Sequence, residues 1–257
     1  MVEICAIASG SNGNCYYIGN HENAILVDAG VNCKQILSKM KLSGLSPSKL
    51  RGIFITHEHN DHVCGVRVLA KKLDIPVFMT KGTYQGLYLT NRPEAVRLIE
   101  SDQPIDLGSF IIHPVLKNHD GKEPTSFRVE HQGINIGVFT DIGSPCDNVT
   151  THLNVCDALF LESNYDEKML WGGSYPPHLK ERVASDVGHL SNLQAAELLE
   201  EHAAEHLKFV LLSHLSGENN TPEIAYQAVK HLEDRFQIIV TSRKQPSEVI
   251  AVAKRVN

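Results

Sequence analysis

The sequence predicts an α/β fold in which β-sheets are covered by helices, and three observations predict it. Short apolar runs rich in β-branched residues recur along the chain, each bounded by Gly, Asn or Ser. Strands outnumber helices early and alternate with them late. Several residues with metal-binding side chains fall where a strand gives way to a loop, which is how a rigid scaffold gathers groups that lie far apart in sequence.

Taken in order, strands are expected at 3–8, 14–18, 24–28 ("AILVD") and 51–56 ("RGIFIT"). A helix is expected at 32–42, and another at 64–73, "CGVRVLAKKL", closed by "DIP" ahead of the strand "PVFMT". Further strands are expected at 109–117, 125–131, 134–140 ("INIGVFT"), 157–161, 208–213 ("KFVLLS") and 236–241. Helices lie near 191–204 and 222–234. Ser191 and Gln194 form a capping box, so the first of these two helices begins at about Asn192. No repeat, linker or low-complexity tract divides the chain, and residues 1–257 read as one domain.

Composition bounds the function. A chain of 257 residues buries a substantial core, and 42% hydrophobic content with 6% aromatic is ordinary for a globular protein. The opening "MVEICAIASGSNGN" has no basic leader, and no run approaches the roughly 18 apolar residues of a spanning helix. A cytoplasmic protein with no membrane partner is expected. The net charge of −6 argues against broad electrostatic capture of nucleic acid, so any polyanionic substrate must be attracted locally. The cysteines at 5, 15, 33, 64, 146 and 156 contain no C-x-x-C pair and read as buried thiols.

The most informative stretch is "ITHEHNDH", residues 55–62. Imidazole and carboxylate are good ligands for divalent first-row metals, and His57, His59, Asp61 and His62 follow directly on a buried strand. His57 and His59 can reach one ion, and Asp61 and His62 a neighbouring one. Asp28 ends a strand, and His119, Asp141 and His214 each stand at a strand-to-loop junction. His113, inside "SFIIHPVLK", reads as structural, and His131 as a turn residue before "QG".

This pattern resembles the metallo-β-lactamase fold hydrolases, whose H-x-H-x-D-H signature stands here as "HEHNDH". Asp28 in "LVDAG", His119 in "LKNHDG", Asp141 in "VFTDIG" and His214 in "LLSHLS" match the other motifs in order. The resemblance implies an αββα sandwich of two mixed β-sheets with helices on the outer faces. It implies two divalent ions, zinc or manganese with iron also compatible, one held by His57, His59 and His119 and one by Asp61, His62 and His214. Asp141 would bridge, and Asp28 would support the site without binding metal.

A dinuclear site implies hydrolysis but not the substrate. In "DVGHLSNLQAAELLEEHAAEH", His189 precedes a helix that is followed by a strand ending in "SHLS", a layout similar to ribonuclease Z and its phosphodiesterase relatives. There the histidine pairs with a glutamate ending the preceding strand, a place held here by Glu162. A carboxylate beside imidazole favours the imidazolium form, an acid able to protonate a departing alkoxide. The strings "ASGSNGNCYYI", "ESNYD", "DVGHLSN" and "SHLSGENN" extend the match to the YycJ/WalJ family, which is associated with 5′-to-3′ exonuclease activity on DNA. That resemblance implies a nucleic-acid substrate, with Asp61 as ligand and possible base for the attacking water.

Only about twenty residues separate Asp141 from Glu162, too few for an inserted cap domain, so substrate contacts must come from short loops. "SGSNGN" either brings Ser11, Asn12 and Asn14 to a phosphate or is a tight turn. "YPPHLKER" offers Lys180 and Arg182, with Tyr165, Trp171 and Tyr175 as stacking platforms. Two rival functions remain open. One is a small-molecule (cyclic) phosphodiesterase or a thioester or lactone hydrolase of the same fold, and the other a non-catalytic metal-binding interaction protein.

Overall fold

The structure, a computed structural model, describes residues 1–254. Its strands are β1 (Val2–Ala8), β2 (Cys15–Gly19), β3 (Ala24–Val27), β4 (Leu50–Phe54), β5 (Val77–Thr80), β6 (Val96–Ile99), β7 (Ile105–Asp106), β8 (Ile111–Leu116), β9 (Thr125–His131), β10 (Ile134–Phe139), β11 (Ala158–Glu162), β12 (Phe209–Ser213), β13 (Gln237–Val240) and β14 (Ile250–Val252). They form two seven-stranded sheets, ordered β14-β1-β2-β3-β4-β5-β6 and β13-β12-β11-β10-β9-β8-β7. Both are mixed: β3 to β6 run parallel in the first sheet, and β10 to β13 run parallel in the second.

Helices α1 (Cys33–Leu42), α2 (Asn60–Val63), α3 (Val66–Leu73) and α4 (Lys81–Gly86) belong to the first half of the chain. The second half carries α5 (Asp147–Leu153), α6 (Glu167–Gly172), α7 (Pro177–Val183), α8 (Asn192–His202) and α9 (Pro222–Val229). Strand alternation sorts side chains between layers, because successive residues point to opposite faces. On β11, Ala158 and Phe160 face the first sheet, within a core shared with Ile4, Ile25 and Phe54. Leu159 and Leu161 turn outward to pack against Leu153 of α5, Leu198 and Leu199 of α8, and Val229 of α9. Ile36 and Met40 of α1 and Leu69 of α3 cover the outer face of the first sheet in the same way. The result is the four-layer sandwich expected. Phe54 knits its middle, stacked on Phe78 with centroids 4.5 Å apart and edge-on to Phe127 of the opposite sheet at 5.5 Å, pairs that add about 0.5–1.5 kcal/mol beyond area burial.

Several expectations are corrected. The helix expected at 64–73 is broken at Gly65, which caps α3 after the short α2. The strand expected at 157–161 is shifted by one residue and ends on Glu162. β6, β7, β14 and α4 to α7 were not anticipated, since β6 and β14 are exposed edges with weak alternation and the helices are one or two turns long. His131 is the buried last residue of β9, its Nδ1–H donating to Ser109 O over 2.6 Å, rather than a turn residue. His113 is structural, lying in β8 beside Glu130 at 3.3 Å. Cys64 is exposed and Cys146 partly so, unlike the other four buried thiols. Among the described residues no helix is long and apolar enough to cross a membrane.

Candidate metal centre

The parallel strands of both sheets release their chains at one common edge, and the polar cluster gathers there. Asp28 follows β3, His57 follows β4, Asp141 follows β10, Glu162 ends β11 and His214 follows β12. Asp28, Asp141 and His214 hold left-handed backbone angles, with φ of 62°, 56° and 56°. Such conformations are uncommon outside glycine and concentrate where function over-determines the backbone. Each turns the chain sharply off its strand and leaves the side chain at the edge. A Cβ on Gly30 would lie 1.6 Å from Asp61 O, so only glycine lets the loop after Asp28 pass beneath the loop carrying Asp61.

One group comprises His57, His59 and His119. His57 Nδ1–H donates to Thr56 Oγ1 over 2.9 Å, and that hydroxyl donates to Asp28, so Nε2 of His57 carries a free lone pair. His119 Nδ1–H donates to Gly188 O over 3.0 Å, which frees its Nε2 in turn. These two nitrogens lie 3.0 and 3.4 Å from His59 Nδ1. Burial keeps His57 well below the usual imidazole pKa and pushes His119 down to about 3. His57 and His119 are therefore poised as neutral ligands.

A second group comprises Asp61, His62, Asp141 and His214, and a third overlaps it, joining Asp141 and His214 to Glu162 and His189. Asp28 Oδ2 accepts from His62 Nδ1–H over 2.7 Å, aiming Nε2 of His62 at Asp61 Oδ2 and Asp141 Oδ2, each 3.3 Å away. Burial opposes charge on His62, but Asp141, Asp28 and Asp61 together outweigh it and raise its pKa well above the ordinary value. Burial likewise works against ionised Asp61, yet His62 and His214 hold it down to about 2. Asp141 faces both groups: Oδ2 lies 3.3 Å from His214 Nδ1, and Oδ1 lies 3.9 Å from His119 Nε2.

These residues fit divalent metal ions. Lone pairs of three imidazoles converging as in the first group repel one another unless a cation lies among them. In the second, Asp141 Oδ2 and His214 Nδ1 are buried without a hydrogen-bond partner among the described residues, a state costing about 1–3 kcal/mol per group. Nitrogen and oxygen donors of this kind suit zinc, manganese and iron alike.

Beside both groups stands His189, its Nδ1 bonded to Glu162 Oε1 at 2.8 Å. The other carboxylate oxygen of Glu162 accepts from the backbone N–H of Ile142 at 2.7 Å and Leu190 at 3.2 Å, so the buried carboxylate is fixed in place. Burial disfavours the imidazolium of His189, but Glu162 overrides it and raises the pKa. The expected capping box of Ser191 and Gln194 starts α8 and fixes this approach. His59, Asp61 and His189 keep 30%, 25% and 18% side-chain exposure, whereas His62, Asp141 and His214 keep 2% or less, which marks the open side of the site.

The expected substrate contacts divide. Ser11 and Asn12 are exposed on the loop between β1 and β2. Asn14 is corrected: it is fully buried, and its Nδ2–H donates to Asp61 Oδ2 over 3.3 Å, so it braces a ligand and cannot meet substrate. Lys180 donates to Trp171 O, and Arg182 is committed to Asp120, whose other oxygen lies 3.4 Å from His59 and His119. Tyr165 is buried, which removes it as a stacking platform, while Trp171 is exposed. Sequence reasoning missed Thr56, Asp120 and the buried Lys117, whose Nζ donates to Thr140 O over 2.6 Å next to Asp141. Their adjacency to ligands in "THEH" and "LKNHDG" was the available signal.

A family model described as β-lactamase superfamily domain matches residues 23–214, three-quarters of the chain and every group just described except those of the first loop. The chain belongs to this superfamily of metal-dependent hydrolases and, within it, to the family of the YycJ and WalJ proteins. It is 33% identical over 254 residues to exodeoxyribonuclease YycJ of Bacillus anthracis, covering 95% of this chain and 96% of that one. Exodeoxyribonuclease WalJ of Streptococcus pneumoniae is 33% identical over 228 residues, covering 87% and 85%. Among solved structures, the metallo-β-lactamase fold protein YhfI of Bacillus subtilis superposes with a TM-score of 0.70 at 19% identity, covering 96% of this chain and 98% of its own, a likeness of fold.

Proposed function

We propose that the protein is a phosphodiesterase that degrades DNA as a 5′-to-3′ exonuclease, with two divalent ions, zinc or manganese, at its centre. His57, His59 and His119 would hold one ion, Asp61, His62 and His214 the other, and Asp141 would be shared. Bound there, the ions supply Lewis acidity toward the phosphoryl oxygens and activate water near neutral pH. Asp61, partly exposed on the open side, orients that water and serves as its base.

The observation that carries the reading is the His189–Glu162 pair beside the ligands. Glu162 engages Nδ1 of His189, which leaves Nε2 as the atom that gives up a proton. The departing group of an unactivated phosphodiester is an alkoxide, which leaves slowly unless protonated. Glu162 stabilises the imidazolium before transfer and, held by two backbone N–H groups, keeps the His189 ring oriented. Thioester hydrolysis expels a thiolate that needs no such help, so the pair favours phosphodiesters over that rival. The names of the relatives support DNA as the substrate class, and the domain is proposed to be single and cytoplasmic.

The test is digestion of end-labelled linear DNA and circular single-stranded DNA by wild type and His189→Ala. Wild type should release short products from the 5′ end of linear strands and leave circles intact; equal cutting of circles would rule out an obligate exonuclease. His189→Ala should retain its metals and lose roughly 100- to 10,000-fold on DNA, yet remain much closer to wild type on a nitrophenyl phosphodiester, whose leaving group departs unprotonated. Equal losses on both substrates would refute the acid role.

A further inference from the structure

The second sheet places a chemically distinctive residue beyond the C-terminal end of each parallel strand. Asp141 follows β10, Glu162 ends β11 and His214 follows β12. β13 is paired in parallel with β12, Leu212 opposite Val240, and Thr241 N–H donates to Leu212 O over 3.0 Å, so the chain after β13 emerges at the same edge as His214. What it delivers there is Arg243.

Arg243 is half-buried and lies across two glycines. A Cβ built on Gly10 would fall 2.6 Å from its Cγ, and one on Gly217 would fall 1.8 Å from its Nη1. Both glycines belong to the rim of the metal centre. Gly10 follows Ser9, whose hydroxyl accepts from His214 N–H over 2.9 Å, and Gly10 N–H donates to Asn14 Oδ1, the other end of the amide that braces Asp61. Gly217 stands three residues beyond His214.

Three other cations near the centre are committed, Lys117 to Thr140 O, Lys180 to Trp171 O and Arg182 to Asp120, while Lys122 is exposed on the loop beside His57. Among the described residues, no carboxylate or carbonyl engages the guanidinium of Arg243, and its nitrogens remain open to solvent. A planar cation with five donors, its stem seated over Gly10, whose φ of 142° favours glycine, and left without an anion among the described residues, matches the chemistry of a phosphate. Ser11 and Asn12, exposed on the loop that Gly10 opens, add small donors beside it.

We propose that Arg243, with the loop of residues 9–14, forms a subsite for a non-scissile phosphate of the nucleic-acid strand, one that positions the neighbouring phosphodiester over the metal centre. The inference rests on the phosphodiesterase reading and deepens it. It also resolves a difficulty of the net charge of −6: attraction is local, through a seated cation at the rim, rather than spread over a basic face. The guanidinium is then a binding group, and the acid at His189 is untouched by it.

The test compares wild type, Arg243→Met, which keeps the aliphatic stem over the glycines, and Arg243→Lys, which keeps the charge. Thermal melting checks that each variant is folded. Binding of the metal-loaded proteins to a phosphorothioate single-stranded DNA is followed by fluorescence anisotropy across a salt series, and KM and kcat are measured on the unmodified strand. Arg243→Met should bind about 10- to 100-fold more weakly, the loss of one charged contact, with KM raised far more than kcat is lowered. Its dependence of log affinity on log salt should flatten by about 0.7, the increment for one phosphate on a single strand. Arg243→Lys should restore the slope and part of the affinity. An unaltered slope and KM in Arg243→Met, on DNA that wild type cleaves, would overturn the subsite alone. Wild type that neither binds nor cleaves any DNA would overturn the phosphodiesterase reading and the subsite together.

Discussion

The two ligand groups are built from different materials. The first is three imidazoles, two of them from the loop after β4, with carboxylates only at its edge: Asp120 Oδ1 at 3.4 Å from His59 and His119, and the far oxygen of Asp141 at 3.9 Å from His119. The second sets two carboxylates and two imidazoles in a pocket open only at Asp61, three of them braced from behind: His62 by Asp28, Asp61 by Asn14, and the His214 backbone by Ser9. Neutral ligands on an open side give an ion that is reached and exchanged readily, whereas anionic ligands in a preorganised pocket hold their ion tightly. The comparison teaches that the two groups differ in charge and enclosure, and it predicts two unequal ions if both groups are filled, the weaker one on the more open side.

The largest effect is expected where the inequality vanishes. Asp141→Asn removes the one side chain common to both groups, so metal content by mass spectrometry should fall from about two ions per chain to below one, with activity down by about a thousandfold or more. A variant that retained both ions would show that Asp141 is not shared. Next in size is the contrast between His59→Ala and His62→Ala. Both should leave about one ion per chain, but the ion remaining in His59→Ala should resist chelator and the one in His62→Ala should be stripped readily. Equal chelator sensitivity would break the comparison. The smallest effect is expected from Asp28→Asn, which touches no metal and only orients His62 and, through Thr56, His57. Affinity for the second ion should drop by about 10- to 100-fold, as when the partner behind a ligand is lost, read by competition with a chromophoric chelator.

The same contrast explains what the sequence made legible. Four of the seven proposed ligands lie in six consecutive residues, where composition alone is a signal, and the loop after β4 is where the sequence places them. The rest arrive singly at the ends of β10 and β12 and after β8, and were found because apolar strands have recognisable ends and because the motifs resemble a known family. Bracing residues were harder. Asn14 looked like a loop residue available to substrate, because nothing local reveals that Gly10 and Gly30 fold its neighbourhood under Asp61. Arg243 was invisible for a related reason: its meaning depends on β13 lying parallel beside β12, a long-range pairing, and on two glycines more than twenty residues away from it. The short helices α4 to α7 escaped because one or two turns carry too little periodicity to separate from loop.

Three consecutive residues carry three separate duties. The carbonyl of Gly188 fixes the ring of His119, His189 is the proposed proton donor, and the N–H of Leu190 holds Glu162. A Cβ on Gly188 would fall 2.3 Å from Arg182 O and from Val183 O, so the tripeptide is also pinned to the end of α7. Metal ligation, proton delivery and the seating of a surface helix are therefore inherited as a single unit. Insertions or deletions that retune substrate choice have no room between residues 188 and 190. They have room in the exposed stretch around α6 and the start of α7, where length can change while the register of acid and ligand is preserved, and that is where divergence among relatives with new substrates should accumulate.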